Sequence, residues 1–542
     1  MIETMWWRVR GLSVLLAMAT ALGCAMAQQG AGGQAQRPRL LVFITVDQMR
    51  ADYFQRFGAD LTGGLRRLHD GGAFYPLGFQ DHAITETAPG HSTTLSGRFP
   101  VHTGITMNSL GVNDVPDAEV IGGLKGESAS PFRFRGTTLV DWMRAANSET
   151  RWLSVSRKDR GAILPVGKSK GDVYWYDRMG GFTTSRYYMK SLPSWVLSFN
   201  AALPASRYVG KPWTLLLDPS RYPEPDSVGL EANASGGDYT FPHVMPSDPD
   251  RAMAVLPNFP YMDELTLQFA LRGVSELGLG TVRGRTDVLA VSLSSTDAVG
   301  HRWGPDSREI HDQIVRVDRY LGAFLDSLIA LRGADNLIIA LTGDHGVTPL
   351  PMLRSQIYPN GNAKRVNIDQ PWAAFRQKLL AQRIDTSAVA LEKGMVIVTN
   401  PRAFSAARAD VDGLLRDFAR DLIRVQGVQR VDLMTDLATA DTTRDTIARR
   451  WLHMFTPQSE VRLMISLEPY SYWLSSKSPT HGSPNDPDAN VPIVFWGAGV
   501  RPGVHREAAR VVDIAPTLAA ILGVRPLEPI DGQVLRAAIA QP

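Results

Sequence analysis

LLVFITVD, residues 40–47, is a short apolar, β-branched run that ends in an aspartate, and it decides the fold class. Three similar runs follow at 287–293, 336–341 and 491–496. Runs of this length and purity are typical of strands that are covered on both faces, as in a parallel sheet between helices. The sequence therefore predicts parallel strands at these four places.

Amphipathic helices are predicted between these runs. Apolar residues recur at helical spacing from Ile310 to Leu328, and Gly333 is placed to end that helix. A similar pattern runs from Asp263 to Leu277. The alternation of strands and helices predicts an α/β fold, with a mostly parallel central sheet sandwiched by helices.

Two long segments interrupt the alternation. One covers about 186–261 and is rich in Pro, Tyr and Ser, and the other covers about 355–470. We interpret both as insertions that form a cap over the core. The main domain, cap insertions included, is then expected to span residues 38–542, and the Gly/Gln-rich residues 28–37 to form a linker.

Composition and charge narrow the class of protein. The chain has 542 residues, 44% of them hydrophobic, with a formal net charge of +3 and no run of Lys and Arg. A nucleic-acid-binding surface is therefore excluded, because such surfaces need clustered basic residues. Residues 1–27 have a basic start, a short apolar run and a small-residue end at Ala25-Met26-Ala27, which predicts a signal peptide. We expect bacterial export to the periplasm or the medium, with no transmembrane segment.

The single cysteine, Cys24, falls in this leader. One cysteine excludes an internal disulfide framework and a thiolate zinc cluster, so any metal must be held by oxygen or imidazole ligands. Residues 21–24 also loosely resemble a lipobox. A membrane-anchored lipoprotein, with a lipid on Cys24, is the alternative to simple removal of the leader.

Carboxylate and imidazole side chains follow the predicted strands or lie in a loop before the last one. They are Asp47, Asp297, His301, Asp344, His345 and His481. A lone Asp after a strand is usually a turn or a helix cap, but ligands in open α/β sheets bind where carboxyl ends of strands converge. Oxygen and nitrogen donors without sulfur suit a catalytic zinc site. The number of donors exceeds the need of one metal, which predicts a two-metal site.

The candidate nucleophile is Thr87, in the stretch TETAPGHSTT at 85–94. Pro89 suits a first helical turn, so Thr87 is expected at or just before a helix N-terminus, where free N–H groups and the helix dipole favour an anion. The alternative is an ordinary N-cap role. A threonine hydroxyl needs a metal or a base to remove its proton, and the predicted metal cluster would supply that activation.

Five motifs now carry a resemblance to a known family. They are TETAPGH at 85–91, STDAVGH at 295–301, TGDHG at 342–346, THGS at 480–483 and DIAPTL at 513–518. In this order they resemble the alkaline phosphatase superfamily of two-zinc hydrolases. The chain is most similar to the bacterial phosphate-irrepressible alkaline phosphatases, which use a threonine nucleophile.

The resemblance implies a ligand set for two Zn²⁺ ions. Asp297, His301 and His481 would hold one ion. Asp47, Asp344 and His345 would hold the other, to which Thr87 would also bind. It further implies in-line attack by Thr87 and a covalent phosphothreonine intermediate.

Three more residues indicate the substrate class. Asn108 lies 21 residues after Thr87 (108 minus 87) and matches an asparagine that the family directs at a phosphoryl oxygen. Lys158 and Arg160 follow the apolar run 152–156 and resemble the Lys-x-Arg element of the monoesterase branch. A monoester is a dianion with three free oxygens, and an arginine can bind two of them as a fork. The alternative interpretation of this basic stretch is a solvated charged turn.

The sequence thus predicts an exported alkaline phosphatase that acts on small-molecule phosphate monoesters and releases inorganic phosphate. A phosphodiesterase or nucleotide pyrophosphatase of the same superfamily is the first alternative. A non-enzymatic periplasmic metal- or phosphate-binding protein is the second. A sulfatase is disfavoured, because it needs a modified Cys or Ser where Thr87 stands.

Overall fold

The computed structural model describes residues 37–116, 118–202, 204–227, 239–350 and 363–541. The predicted signal peptide, Cys24 and residues 28–36 of the predicted linker lie outside the described residues. No helix within the described ranges is both long and apolar enough to cross a membrane.

The described ranges contain eighteen named strands. They are β1 (Leu40–Val46), β2 (Ala73–Phe79), β3 (Trp152–Ser156), β4 (Asp172–Tyr176), β5 (Phe182–Thr183), β6 (Pro212–Trp213), β7 (His243–Val244), β8 (Asp287–Leu293), β9 (Leu337–Thr342), β10 (Arg365–Val366), β11 (Val389–Glu392), β12 (Met395–Val398), β13 (Val428–Leu433), β14 (Val461–Leu467), β15 (Tyr472–Trp473), β16 (Asn490–Gly497), β17 (Gly503–Val504) and β18 (Ala509–Arg510).

The same ranges contain eighteen named α-helices. They are α1 (Tyr53–Arg56), α2 (Gly64–Gly71), α3 (Thr87–Thr94), α4 (Pro100–Thr103), α5 (Leu139–Ala146), α6 (Asp159–Ile163), α7 (Ser194–Ala201), α8 (Pro249–Val255), α9 (Tyr261–Glu276), α10 (Ser295–Trp303), α11 (Arg308–Arg332), α12 (Asp369–Ala381), α13 (Pro401–Ala407), α14 (Val411–Leu422), α15 (Met434–Leu437), α16 (Thr446–Leu452), α17 (Asp486–Ala489) and α18 (Ile514–Leu522).

A ten-stranded sheet forms the centre, in the order β17-β2-β16-β9-β1-β8-β3-β4-β5, with β18 also paired to β2. The strand β1 lies between β8 and β9 and is parallel to both, with Leu40 opposite Asp287 and Leu337. The strand β3 is parallel to β8 and β4. The predicted mostly parallel sheet is therefore confirmed, and the third run is shifted by one residue.

The fourth predicted strand, β16, runs in the opposite direction from the one expected. It is antiparallel to both of its neighbours, β9 and β2. A buried apolar run looks the same in either direction, because the pattern reports burial and not polarity. Because β16 is antiparallel to both β2 and β9, β2 runs in the same direction as the central parallel strands. Asn490, the first residue of β16, pairs with Phe79, the last residue of β2. The loop before β16 thus lies at the edge where the parallel strands end.

Helices cover both faces of this sheet, as predicted. On one face Val42 and Ile44 of β1 pack in a core with Ile310 and Ile314 of α11. On the other face Phe43 belongs to a core with residues of α5 and α18. The predicted helices are confirmed as α9 and α11, and Gly333 follows α11 with a left-handed φ of 79°.

The two interrupting segments differ in how they pack. The described residues within 186–261 contribute aromatic side chains to the main core, including the fully buried Trp213. Residues 363–470 contain a second sheet, in the order β11-β12-β14-β13, with a hydrophobic core of its own. Their role as a cap over the core stays a prediction.

Candidate active site

The carboxyl ends of β1, β8 and β9 bring three aspartates together. Asp47 follows β1 directly, and Asp344 follows β9. Asp297 lies in the first turn of α10, which begins just after β8. His301 lies four residues later on that helix, so both side chains are on one helix face.

The first group that could hold a metal ion consists of Asp297, His301 and His481. His301 Nε2 lies 3.1 Å from Asp297 Oδ1, and His481 Nε2 lies 3.2 Å from His301 Nε2. The Nδ1 atoms of the two histidines donate to the carbonyl oxygens of Pro479 at 2.8 Å and Thr85 at 2.7 Å. These bonds orient each ring and leave its Nε2 as the ligand atom, as in metal sites generally.

The second group consists of Asp47, Asp297 and His345. His345 Nε2 lies 3.5 Å from Asp47 Oδ1 and 3.6 Å from Asp344 Oδ2. Its Nδ1 donates to the Gly346 carbonyl at 2.9 Å, so Nε2 again faces the cluster. Asp297 is shared between the two groups, which the resemblance did not imply.

Unsatisfied buried atoms show that these residues fit a metal. Asp47 Oδ1 and His345 Nε2 are buried and have no hydrogen-bond partner among the described residues. Burial, with the nearby charges of Asp297 and Asp344, raises the pKa of the Asp47 carboxyl to about 6. Buried acceptors without partners are costly, and a divalent cation bound by oxygen and nitrogen would satisfy them.

The candidate nucleophile Thr87 is the first residue of α3, as the sequence predicted. Glu86 occupies the cap position before it, so the alternative N-cap role of Thr87 is wrong. The Thr87 side chain is buried, and its Oγ1 accepts a hydrogen bond from Lys158 Nζ at 3.3 Å. The hydroxyl thus lies at a helix start beside a positive charge, and both features favour an oxyanion.

Lys158 lies at the centre of the cluster. Its Nζ is 2.5 Å from Asp47 Oδ2 and 2.6 Å from Asp297 Oδ2. The interpretation of Lys158 as part of a solvated turn is therefore wrong, because its side chain is only 7% exposed. One ammonium group links both candidate metal-binding groups to the candidate nucleophile.

Asn108 and Arg160 take different positions. Asn108 begins a short 3₁₀ helix, and its Oδ1 accepts from the Ala88 N–H at 2.8 Å, next to Thr87. That bond fixes the amide and leaves its Nδ2 to donate elsewhere. Arg160 lies in α6, where a guanidinium nitrogen is 3.6 Å from Asp159 and its buried Nε has no hydrogen-bond partner.

A family model provides the first comparison with known proteins. The model for type I phosphodiesterase / nucleotide pyrophosphatase matches residues 41–455. This chain belongs to that family. The family lies within the alkaline phosphatase superfamily, so the resemblance carried by the five motifs is confirmed.

Individual relatives of this family cover nearly the whole chain. Alkaline phosphatase PhoV of Synechococcus elongatus is 32% identical over 506 residues, 90% of each chain. A Myroides odoratus protein named calcium-transporting ATPase is 30% identical over 91% of this chain and 93% of its own. The crystal structure of alkaline phosphatase PafA superposes with a TM-score of 0.86 at 26% identity, covering 93% of this chain and 99% of the other. A second PafA structure carries substitutions of a threonine, an asparagine, a lysine and an arginine.

In this family member, the sequence did not indicate two residues that hold the candidate metal ligands in place. Gln48 follows Asp47 with a left-handed φ of 68°. Its backbone N–H donates to Asp344 Oδ1 at 3.0 Å, and its Nε2 donates to Asp297 Oδ1 at 2.9 Å. The one sequence feature that could have indicated Gln48 is its position directly after Asp47, at the end of a predicted strand.

His91 is the second such residue, and the sequence indicated only a structural role for it. Its Nδ1 lies 2.9 Å from the Thr87 carbonyl and 3.2 Å from Asp344 Oδ2. Burial opposes ionisation of Asp344, but His345 and His91 outweigh it and keep the pKa of that carboxyl well below its usual range. His91 therefore ties the nucleophile helix to a candidate metal ligand.

Gly300, in the STDAVGH motif, is required by close packing, and this gives a first testable prediction. A Cβ at Gly300 would lie 1.7 Å from Gln48 Oε1. Gly300→Ala is expected to displace the Gln48 amide from Asp297 and to lower kcat/KM and metal affinity about tenfold, the usual effect of losing a ligand's supporting bond. The measurements are phosphate-ester hydrolysis and metal titration.

Gly413→Ala serves as the matched control. It also adds a methyl group inside a helix, α14, but the nearest atoms that this group would meet belong to the Asp410 side chain, with Oδ2 2.5 Å away. Equal losses in the two variants would contradict the role given to Gly300.

Proposed function

We propose that this chain is an exported two-zinc alkaline phosphatase that hydrolyses phosphate monoesters through a phosphothreonine intermediate. The observation that carries the proposal is the position of Lys158 Nζ, which contacts Asp47, Asp297 and the Thr87 hydroxyl together. The relatives PhoV and PafA are both named alkaline phosphatases, which supports the proposal. Residues 1–27 support export, with a lipid anchor on Cys24 as the alternative.

The nucleophile is proposed to be the Thr87 oxygen. Its helix start and the ammonium of Lys158 both stabilise the alkoxide that must form before attack. Zinc ions bound to the two ligand groups would supply Lewis-acid charge for the alkoxide and for the leaving oxygen. Attack forms the bond between Thr87 Oγ1 and phosphorus and breaks the bond between phosphorus and the ester oxygen, which leaves and is protonated to the alcohol. Water then hydrolyses the phosphothreonine, which regenerates the Thr87 hydroxyl and releases inorganic phosphate.

Phosphate recognition is proposed to involve Asn108, Lys158 and Arg160. The Asn108 Nδ2 and the buried Nε of Arg160 are donors left without partners among the described contacts, next to or near the Thr87 helix. The substituted PafA structure supports the set: its threonine and asparagine are 21 residues apart, and its lysine and arginine two apart, as here. Three donors match the three free oxygens of a monoester dianion.

A phosphodiesterase or nucleotide pyrophosphatase activity is the second candidate, because the matching family model carries that description. A diester has one fewer charge and fewer free oxygens than a monoester, so it gains less from Lys158 and Arg160.

The relative named as a calcium-transporting ATPase also fits a site for terminal phosphoryl groups. A terminal phosphoryl group carries three free oxygens, as a monoester does.

The two candidates are separated by comparing an aryl phosphate with the matching aryl diester. Lys158→Ala and Arg160→Ala are each expected to lower monoester kcat/KM between about tenfold and 150-fold, the loss for one charge-assisted hydrogen bond, and to affect the diester less. Lys168→Ala, which removes an exposed lysine that follows α6, is the control. Intact monoester turnover in the two variants would contradict the monoesterase proposal.

A further inference from the structure

One hairpin of the inserted sheet reaches the active site. The strands β11 and β12 are joined by Lys393 and Gly394, whose φ values of 50° and 74° are both left-handed. Two positive φ values in a two-residue connection are typical of a type I′ turn, for which Asn-Gly is the preferred sequence. A lysine at the first position of such a turn is uncommon, which indicates that contacts of its side chain, and not turn geometry, favour it there.

The Lys393 side chain is bound to Glu86. Its Nζ forms an ion pair with Glu86 Oε1, and these two groups are 307 positions apart in the sequence. The Glu86 side chain is only 6% exposed, so its carboxylate needs a partner. Glu86 directly precedes Thr87, and the hairpin tip therefore contacts the start of the nucleophile helix.

The contact continues from Glu86 to Asn108. Glu86 Oε2 accepts from the Asn108 backbone N–H at 2.7 Å, and Asn108 Oδ1 accepts from the Ala88 N–H at 2.8 Å. The backbone and the amide oxygen of Asn108 are both fixed by these bonds. The direction of the remaining donor, Nδ2, is set by them.

We propose that Lys393 is a positioning residue, through which the inserted hairpin holds Glu86 and so aims Asn108 at the phosphoryl group. The inference rests on the proposed function, in which Asn108 donates to a phosphoryl oxygen. Lys393 also lines a cavity of about 580 Å³ together with His481 and Trp473. Direct contact with the leaving group is therefore the competing role, and the experiment separates the two.

The experiment measures inorganic phosphate binding to the metal-loaded full chain by calorimetry. Lys393→Met keeps the side-chain length and removes the charge, and it is expected to weaken phosphate binding about tenfold, as for one hydrogen bond to a charged group. Lys393→Arg is expected to stay within about threefold of the natural chain. In an Asn108→Ala background, Lys393→Met is expected to cost less than about twofold, because the positioned group is gone.

Ester kinetics test the competing role. The kcat/KM loss in Lys393→Met is expected to be the same for aryl, alkyl and nucleoside monoesters, because they share only the phosphoryl group. A loss confined to one leaving group, or an undiminished loss in the Asn108→Ala background, overturns the positioning role. Lys378→Met is the control, since Lys378 pairs with Asp421 on the surface of the same inserted region.

Amide exchange at Asn108 tests the contact without any turnover. Exchange of the Asn108 N–H is expected to be faster in Lys393→Met and unchanged in Lys378→Met. Unchanged exchange in both variants overturns the inference even in an active enzyme. If exchange were faster in Lys393→Met but the natural chain hydrolysed no monoester, the contact between Lys393 and Glu86 would be supported and the proposed function would be contradicted.

Discussion

Thr87→Ala is expected to lower the rate of monoester hydrolysis about 10⁴-fold or more, while the metal content of the protein stays unchanged. The substitution removes the hydroxyl that would attack phosphorus, and the loss of a nucleophile costs far more than the loss of one binding contact. The bound metal should persist, because each candidate group keeps its three carboxylate or imidazole ligands when the threonine is replaced. Initial rates with an aryl phosphate and elemental analysis of the same samples make the measurement.

Two variants control this result. Thr87→Ser keeps the hydroxyl and should retain far more activity than Thr87→Ala. Thr94→Ala makes the same change at the other end of α3, where the hydroxyl donates to the His91 carbonyl at 2.8 Å, and its rate is expected to stay within about threefold. An unchanged rate in Thr87→Ala would remove the threonine from the mechanism.

Four adjacent strands at the centre of the sheet, β16, β9, β1 and β8, could be predicted from the sequence, because buried apolar runs identify strands without reference to distant residues. The direction of β16 could not, since burial alone does not report strand polarity. The strand β2 was not predicted either: Pro76 and Gly78 interrupt its apolar pattern, and both residues are typical of strand breaks. The sheet tolerates Pro76 because the pairing of β2 with β16 shifts register there, between Val491 and Ile493, and because β17 and β18 pair only with residues 73–74 and 78–79 of β2.

The strand-end positions of the candidate ligands were predictable because carboxyl ends of parallel strands meet at one edge. His481 reaches that edge only because β16 is antiparallel, so its position followed from the resemblance and not from the predicted sheet. Gln48 and Lys393 were missed for another reason. Their partners lie 249 and 307 positions away, and no local pattern reports such contacts.

The sequence also did not indicate that Asp297 belongs to both candidate metal-binding groups. This sharing makes Asp297 the ligand whose replacement should have the largest effect on metal binding. Asp297→Asn is expected to reduce metal binding at both groups, because the neutral amide is a weak ligand and Asp297 belongs to each of them. His301→Ala and His345→Ala remove a ligand from one group each. Each of these should therefore retain more metal than Asp297→Asn.

Hydrolysis is expected to fall about 10³-fold or more in Asp297→Asn, since the metals supply several kcal/mol of charge stabilisation. The same change also weakens the contact of Asp297 with Lys158, which adds to the loss. Asp306→Asn, which alters an ion pair with Arg56 away from the cluster, should keep both metal content and rate. If Asp297→Asn kept as much metal as His301→Ala, the aspartate would serve one ion only, and Asp344 would have to complete the second group as the resemblance implied.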